Sequence, residues 1–381
     1  MQNKPHVVVG LSGGVDSSVA AYLLKQQGYR VTGLFMVNWD SAANQDVLGN
    51  PTLQDETCPQ EKDYQDAKNV AEHLGIEIQR VDFIEEYWDD VFTYFLDEYK
   101  KGRTPNPDVM CNKYIKFDAF AQHAQNLGAD YIAMGHYARL RHNGDKVELL
   151  RGLDSNKDQT YFLSQLKHSQ LKNALFPVGE LNKADVRRIA KEQNLPTAEK
   201  KDSTGICFIG ERDFKAFLRN YLPAQSGPIK TWDNVEIGEH VGLMHYTIGQ
   251  RKGLGIGGLA DFDNEPWFAI GKDLTSNILY AGQGYHHPML YSTHCTVESL
   301  NLIDPGDEKR LNGRDITAKF RYRQKDQEVT LDLSSSTPVV RFKSPVRAVT
   351  PGQAVVLYEG EVCLGGGIIE HVYKDNRKMP Y

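Results

Sequence analysis

Ser12-Gly13-Gly14-Val15-Asp16-Ser17-Ser18 is the stretch that decides the fold of this 381-residue chain. The apolar run Val7-Val8-Val9-Gly10-Leu11 leads into it. Behind it Val19, Ala20, Leu23 and Leu24 recur at helical spacing as far as Gly28. The order is a strand, a glycine-rich turn and a helix start. Free backbone N–H groups and the positive helix end converge at such a turn and favour a phosphate. A Walker-type loop would carry a lysine to the outer phosphates. Here the corresponding positions hold Asp16, Ser17 and Ser18.

Working outward, strand-like runs at residues 6–11, 31–37, 76–82 and 131–135 alternate with helical patterns. Ala67, Val70, Ala71 and Leu74 form one helical face. Phe117, Phe120, Ala121, Ala124 and Leu127 form another. Three helices end at a glycine before a strand: Gly28, Gly75 and Gly128. This alternation predicts an α/β domain with a doubly wound parallel sheet, and ligands at the carboxyl ends of its strands. Residues 38–62 break the pattern and read as a long surface loop, a lid over the nucleotide. Residues 84–101 read as an acidic, aromatic helix whose stripe belongs to a core.

The length calls for two or three domains. No run approaches the ~20 apolar residues of a membrane span, and the N-terminus lacks a signal-peptide pattern. A soluble, cytoplasmic protein is expected, with no membrane partner. The five cysteines, Cys58, Cys111, Cys207, Cys295 and Cys363, show no C-x-x-C spacing, which argues against a zinc cluster or a secreted disulfide framework. Net charge is −6, but residues 40–100 alone carry −12, leaving the remainder at +6. An RNA-binding face is compatible with that remainder.

Further along, Arg103-Thr104-Pro105-Asn106-Pro107-Asp108 is held extended by its prolines. A helix begun by Asp108 places Asp108 and Cys111 on one face. Gly135-His136-Tyr137-Ala138-Arg139 closes the fourth strand, and Lys157-Asp158-Gln159-Thr160-Tyr161-Phe162 follows. Residues 183–201 hold six bases and three acids, a candidate RNA-facing patch. Cys207 lies among small and apolar residues, the usual setting of a buried structural thiol. Residues 211–285 form a glycine-rich small domain. Gly253, Gly255 and Gly258 match G-x-G-x-x-G there without a following helix, so no dinucleotide site is expected. From about residue 290 the period becomes two. Alternation over 317–325 puts Lys319, Arg321, Arg323 and Lys325 on one strand face, and the short strands predict an antiparallel β-barrel.

The loop Ser12–Ser18 resembles the PP-loop of the ATP pyrophosphatases, which grip the pyrophosphate of ATP and transfer AMP to a carbonyl oxygen. The ordered set resembles more. Asn106-Pro107-Asp108…Cys111-Asn112, Gly135–Arg139, Lys157–Phe162, Ser203-Thr204-Gly205-Ile206-Cys207-Phe208-Ile209-Gly210, Thr247-Ile248-Gly249-Gln250-Arg251 and Pro351-Gly352-Gln353-Ala354 follow in the order seen in the bacterial tRNA-specific 2-thiouridylase family. Family members usually have Thr where Met134 stands, and many have a shorter loop at 41–59.

The resemblance implies a PP-loop domain at 1–210, a central tRNA-binding domain at 211–288 and a C-terminal β-barrel at 289–381. It implies ATP with Mg2+ at Gly10, Leu11, Ser12, Gly13, Gly14, Val15, Asp16 and Ser17, flanked by Met36 and Gly135. Asn106, Pro107 and Asp108 would meet the target base. His136, Lys157, Asp158, Gln159, Arg321, Tyr322 and Gln353 would meet tRNA. Cys207 would carry a persulfide, Cys111 would be its partner thiol in a transient Cys111–Cys207 disulfide, and Asp108 an acid/base. The reaction implied is adenylation of the wobble uridine of the tRNAs for Lys, Glu and Gln, then sulfur transfer, with a cysteine desulfurase or sulfur-relay protein as donor. A variant places an iron–sulfur cluster at Asp108, Cys111 and Cys207. Two other classes share the PP-loop reading: an amide-forming synthetase using ammonia, which needs no paired thiols, and a non-catalytic nucleotide or RNA binder.

Overall fold

The apolar run before the glycine-rich turn is strand β1 (His6–Gly10) in the computed structural model, which describes residues 4–53, 55, 58–202, 209–210, 212–258 and 262–381. Helix α1 (Val15–Gln26) leaves the turn, and β2 (Arg30–Val37), α2 (Pro59–Leu74) and β3 (Glu77–Asp82) follow. Strands β4 (Tyr131–Ala133) and β7 (Ala174–Leu175) complete a parallel sheet of order β3-β2-β1-β4-β7. The chain runs from β1 outward to β3 and then returns to the other side of β1. The topological switch point, where open α/β sheets bind ligands, therefore lies between β1 and β4.

Local chemistry explains the boundaries. Pro59 starts α2, where its missing N–H costs nothing. Gly75 at φ +61° closes it, and the Ile76 N–H donates back to the Ala71 carbonyl at 3.0 Å. The expected acidic, aromatic helix runs over 84–100, with a π-helical stretch at Trp88–Phe92. Its apolar side, with Tyr87, Val91 and Phe95, is buried. A second helical run opens with Pro107–Met110 and widens into π geometry over Cys111–Ala119.

The loop after β2 departs from the expected surface lid. Trp39 and Asp46 are buried, and Trp39 packs in an aromatic cluster with Tyr87, Phe92, Phe217 and Tyr221. The Arg212 guanidinium donates to Asp46 Oδ2 at 2.8 and 2.9 Å. Asp213 donates its N–H to the Gly49 carbonyl at 2.9 Å. Residues 212–221 thus pack onto the first domain before the chain reaches the second sheet.

That sheet has order β10-β11-β8-β9, built from β8 (Gly227–Lys230), β9 (Glu236–His240), β10 (Trp267–Asp273) and β11 (Ile278–Gln283). No described residue of 253–258 is helical. The last third closes a barrel. Its strands β12 (Tyr291–Leu302), β15 (Val339–Arg347), β14 (Gln327–Asp332), β13 (Asp315–Lys319), β16 (Ala354–Glu359) and β17 (Val362–Lys374) pair antiparallel in that order, and β17 returns to β12. The hairpin β5 (Ala138–Asn143) and β6 (Lys146–Arg151) extends from the first domain and adds to β17, Leu150 opposite Val362.

Two expectations about charge fail. Strand β13 stops at Lys319, because the Phe320 N–H is captured by Gln324 Oε1 at 2.8 Å and Gln324 N–H bonds back to the Arg321 carbonyl. The four bases therefore do not share a strand face. Arg321 turns inward, donating to the carbonyls of Ile248 and Ala348 and to Thr350 Oγ1. The basic patch on the helix Lys183–Glu192 and its sequel is also largely spent in ion pairs: Arg188 with Asp185 and Glu192, Lys191 with Glu199, and Lys200 with Asp63 and Asp66.

Candidate active site

The glycine-rich turn sits at the switch point. Leu11 and Val15 are buried and fix its two ends, while Ser12 is exposed between them. Gly13 has φ +73°, and a Cβ there would lie 2.2 Å from the Asp63 carbonyl oxygen of α2. Only glycine fits that position. Gly14 caps α1 without a side chain, and Ser17 and Ser18 hydroxyls return to its carbonyl at 3.0 and 2.8 Å. Ser17 Oγ also accepts from the Ser12 N–H at 3.3 Å.

Two neighbours shape the turn. A Cβ on Gly10 would meet the Met134 sulfur at 2.7 Å, with Met36 beyond it at 3.6 Å. A Cβ on Gly135 would meet Ser17 N at 2.9 Å, so the segment after β4 lies directly on the helix start. Asp16, in the first turn of α1, accepts from the Tyr137 hydroxyl at 2.7 Å and from Lys183 Nζ at 2.7 and 2.8 Å. Burial and then the Asp16 charge push the Tyr137 phenol well above its ordinary pKa, so it stays a donor at neutral pH.

A chain of contacts runs from the turn to the thiol. Tyr137 and Gln159 exchange two hydrogen bonds, Tyr137 N–H to Gln159 Oε1 and Gln159 N–H to the Tyr137 carbonyl, both at 2.9 Å. Asp158 is buried and accepts from Gly152 N–H and from the Thr160 hydroxyl. Phe162 packs on Tyr322 with ring centroids 4.5 Å apart, and Asn112 Nδ2 donates to the carbonyls of Phe162 and Asp108 at 3.2 and 3.0 Å. Asn112 neighbours Cys111, which is buried at the start of the π stretch. Pro107 opens this helix, and Asn106 caps it by accepting from the half-buried Asp108.

All three folding units meet behind that cap. Gln353 Nε2 donates to the Thr104 carbonyl at 2.7 Å, Thr104 and Thr247 hydroxyls lie 3.2 Å apart, and Gly352 abuts Thr104. His136 is buried between Phe117 and Phe176, and its Nδ1 has no hydrogen-bond partner among the described residues. Burial, with Lys116 adding to it, pushes its pKa well below the ordinary range, so the ring is neutral. Of the residues expected to meet tRNA, Lys157 keeps 38% of its side chain exposed, and its backbone carbonyl accepts from the half-buried Tyr322 hydroxyl at 3.4 Å. Asp158, Gln159, Arg321 and Gln353 are engaged inside the protein.

Cys207, and with it the expected Cys111–Cys207 pair, lies outside the described residues. Asp202 and Arg212 stand on either side of its stretch. Asp202 takes Lys157, Lys183 and Arg187 at 2.8, 2.8 and 2.6 Å. Partial burial works against its charge, but the hydrogen bonds from Lys157 and Lys183 prevail and hold its carboxyl well below the ordinary range. Among the described residues no group of three or more His, Cys, Asp or Glu could hold a metal ion. Sequence reading places Tyr137 in a motif and Lys183 in a basic patch but gives neither of them, nor Asp202, a role at the turn, since contacts 121 and 167 residues apart leave no local pattern.

Comparisons with known proteins identify the family of the chain. A family profile described as tRNA methyl transferase HUP domain matches residues 5–211, its PRC-barrel companion matches 215–283, and an aminomethyltransferase beta-barrel domain profile matches 292–369. A protein named tRNA-specific 2-thiouridylase MnmA from Acholeplasma laidlawii is 58% identical over 379 residues, covering 99% of this chain and 100% of the relative. Proteins of the same name from Staphylococcus epidermidis and Staphylococcus carnosus are 56% and 58% identical, covering 100% and 98% of this chain and of themselves.

Proposed function

The chain belongs to the tRNA-specific 2-thiouridylase family, and we propose how its own residues carry out that reaction. It is a tRNA uridine 2-sulfurtransferase that consumes ATP. The observation that carries the reading is a lysine-free glycine turn at the switch point, linked by hydrogen bonds through Tyr137, Gln159, Phe162 and Asn112 to a helix that bears a buried thiol three residues after an acid. The amide-forming alternative is not favoured, since the full-length relatives carry the thiouridylase name.

ATP enters as its magnesium complex, with its phosphates on the N–H groups of residues 12–17 and its adenosine toward Met36 and Gly135. The metal neutralises phosphate charge when bound. Asn106, Pro107 and Asp108 present the uracil of a wobble uridine in the tRNAs for Lys, Glu and Gln. Lys157 and Tyr322 lie on the tRNA side, with His136, Asp158, Gln159, Arg321 and Gln353 shaping that surface. The uracil C2 oxygen attacks the α-phosphorus, and pyrophosphate leaves. The oxygen is now part of AMP, a good leaving group.

Sulfur follows. The terminal sulfur of a Cys207 persulfide attacks C2, and AMP departs with the former uracil oxygen. The Cys111 thiolate then attacks Cys207 Sγ. The S–S bond to the transferred sulfur breaks, leaving C2=S on the RNA and a Cys111–Cys207 disulfide. A thiol reductant restores both thiols, and a cysteine desulfurase or sulfur-relay protein reloads Cys207. Asp108 handles the proton at C2-activated uracil. The reaction takes place in the cytoplasm, where tRNA and thiol reductants are available.

The test is mass analysis of the wobble nucleoside after incubating the chain with unmodified tRNA, ATP, magnesium, and a cysteine desulfurase with cysteine to load the persulfide. A gain of one sulfur for one oxygen, with AMP and pyrophosphate formed in equal amounts, is expected. Pyrophosphate without a sulfur-bearing nucleoside would favour the amide-forming class, and no pyrophosphate would favour a binder.

A further inference from the structure

The phosphate turn has no cationic side chain of its own, yet ATP brings several negative charges to it. Lys183, the first residue of the helix Lys183–Glu192, supplies a cation from far along the chain. Its Nζ lies within 2.8 Å of both Asp16 carboxylate oxygens and 2.8 Å from Asp202. Asp16 belongs to the first turn of α1, the same end on which the free N–H groups converge. The helix bearing Lys183 is fixed beside the turn: Lys183 N–H donates to Asp154 at 3.0 Å, and Thr197, just past the helix, donates to Ser18 at 2.9 Å. The ammonium is therefore positioned by rigid elements, with a flexible stem to cover the last few ångströms.

Neither carboxylate depends on Lys183 alone. Asp16 keeps the Tyr137 hydroxyl at 2.7 Å, and Asp202 keeps Lys157 and Arg187 at 2.8 and 2.6 Å. Lys183 can move to a phosphate without stranding a charge. The other lysine flanking the turn, Lys200, cannot. Its partners Asp63 and Asp66, each 2.6 Å away, have no second ion-pair partner among the described residues.

We propose that Lys183 is the phosphate-binding lysine the loop lacks: it turns from Asp16 to the β- and γ-phosphates of ATP and stays with the pyrophosphate product. This rests on the nucleotide reading above. The test is calorimetric titration of the full chain with magnesium ATP, inorganic pyrophosphate and adenosine, for the wild type, Lys183→Met, Lys183→Gln and Arg188→Met. Losing one charge-assisted contact corresponds to about 10- to 150-fold. Lys183→Met is expected to weaken ATP and pyrophosphate by that factor and leave adenosine unchanged. Arg188, on the same helix and paired there with Asp185 and Glu192, is expected to leave all three unchanged on substitution. Lys183→Gln still donates to Asp16, so it keeps the fold if methionine does not, and it must show the same loss. Pyrophosphate affinity within twofold of wild type would overturn the proposal, as would an equal loss of adenosine. A wild type that binds neither ATP nor pyrophosphate would overturn the nucleotide reading itself.

Discussion

Replacing Arg212 by methionine tests how residues 212–221 are anchored on the first domain. Asp46 is fully buried, and its Oδ2 accepts from Arg212 at 2.8 and 2.9 Å and from the Trp39 indole at 3.0 Å. The Arg212 side chain is only 6% exposed. Arg212→Met leaves a buried carboxylate with the indole N–H and weaker contacts from Ser41 and Asn50. Removing one partner of a buried pair costs about 3–5 kcal/mol, because the remaining charge has lost its compensation. Replacing both, as in Asp46→Leu with Arg212→Met, removes the charge as well and should cost less than Arg212→Met alone. The assay is urea unfolding followed by tryptophan fluorescence, which reports this locus directly because Trp39 stacks on Trp88 at 6.1 Å. The pair also ties residues 38–50 to 212–221, so Arg212→Met should lower sulfur transfer more than pyrophosphate release. A cost under about 1 kcal/mol, or a double variant that costs the sum of the singles, would refute the reasoning.

Gly13→Ala has no room beside the Asp63 carbonyl, so ATP binding should weaken by about tenfold or more, whereas Gly28→Ala, at φ +89° with nothing within 4 Å, should cost about 1 kcal/mol of stability and leave ATP binding alone; calorimetry and urea titration read the two. Cys111→Ser and Cys207→Ser should each abolish thiolation while tRNA-dependent pyrophosphate release continues, since adenylation precedes sulfur; loss of pyrophosphate release in both would contradict that order. Burial pushes the Lys272 ammonium down to about 7 from 10.5, its Nζ donating to the Gly102 carbonyl at 2.8 Å. Between pH 7 and 10.5 the unfolded chain holds the proton that the folded chain lacks, so this lysine makes stability rise with pH across that window. Lys272→Met should flatten the rise and stabilise the protein at pH 7 by up to a few kcal/mol, at about 1.4 kcal/mol for each tenfold loss of proton affinity on folding. Urea midpoints against pH read it, and an unchanged slope would contradict the burial argument.

Much of the fold was legible because its signals are local. The buried strands β1 and β2 read as apolar runs, and Gly28, Gly75 and Gly128 all adopt the positive φ that ends a helix. The hairpin β5–β6 was legible too, though overlooked: Asn143-Gly144 is a tight-turn signal between two alternating runs, and Gly144 has φ +62°. Its pairing with β17 was not, because nothing at residue 150 announces residue 362. The row of bases after Thr317 alternated correctly yet failed as a strand, since Gln324 offers the Phe320 N–H a closer partner than a neighbouring strand could. The loop after β2 looked polar and exposed because its buried members include Asn44 and Asp46, and the residues that draw them in, Tyr221 and Arg212, lie far along the chain. The site followed the same division. The glycine-rich turn and the helix bearing Asp108 and Cys111 showed in spacing, whereas Lys183, Asp202 and Arg212 act through contacts that only the folded chain creates.

The central claim is that uracil gives up its C2 oxygen as part of AMP. Transfer RNA labelled with oxygen-18 at the uridine C2 position, incubated with the chain, ATP, and a cysteine desulfurase with cysteine, tests it directly by mass spectrometry of the nucleotide products. One labelled oxygen in AMP for each sulfur gained is the predicted result. Label retained in the thiolated RNA, or found in pyrophosphate or water with unlabelled AMP, would contradict the account.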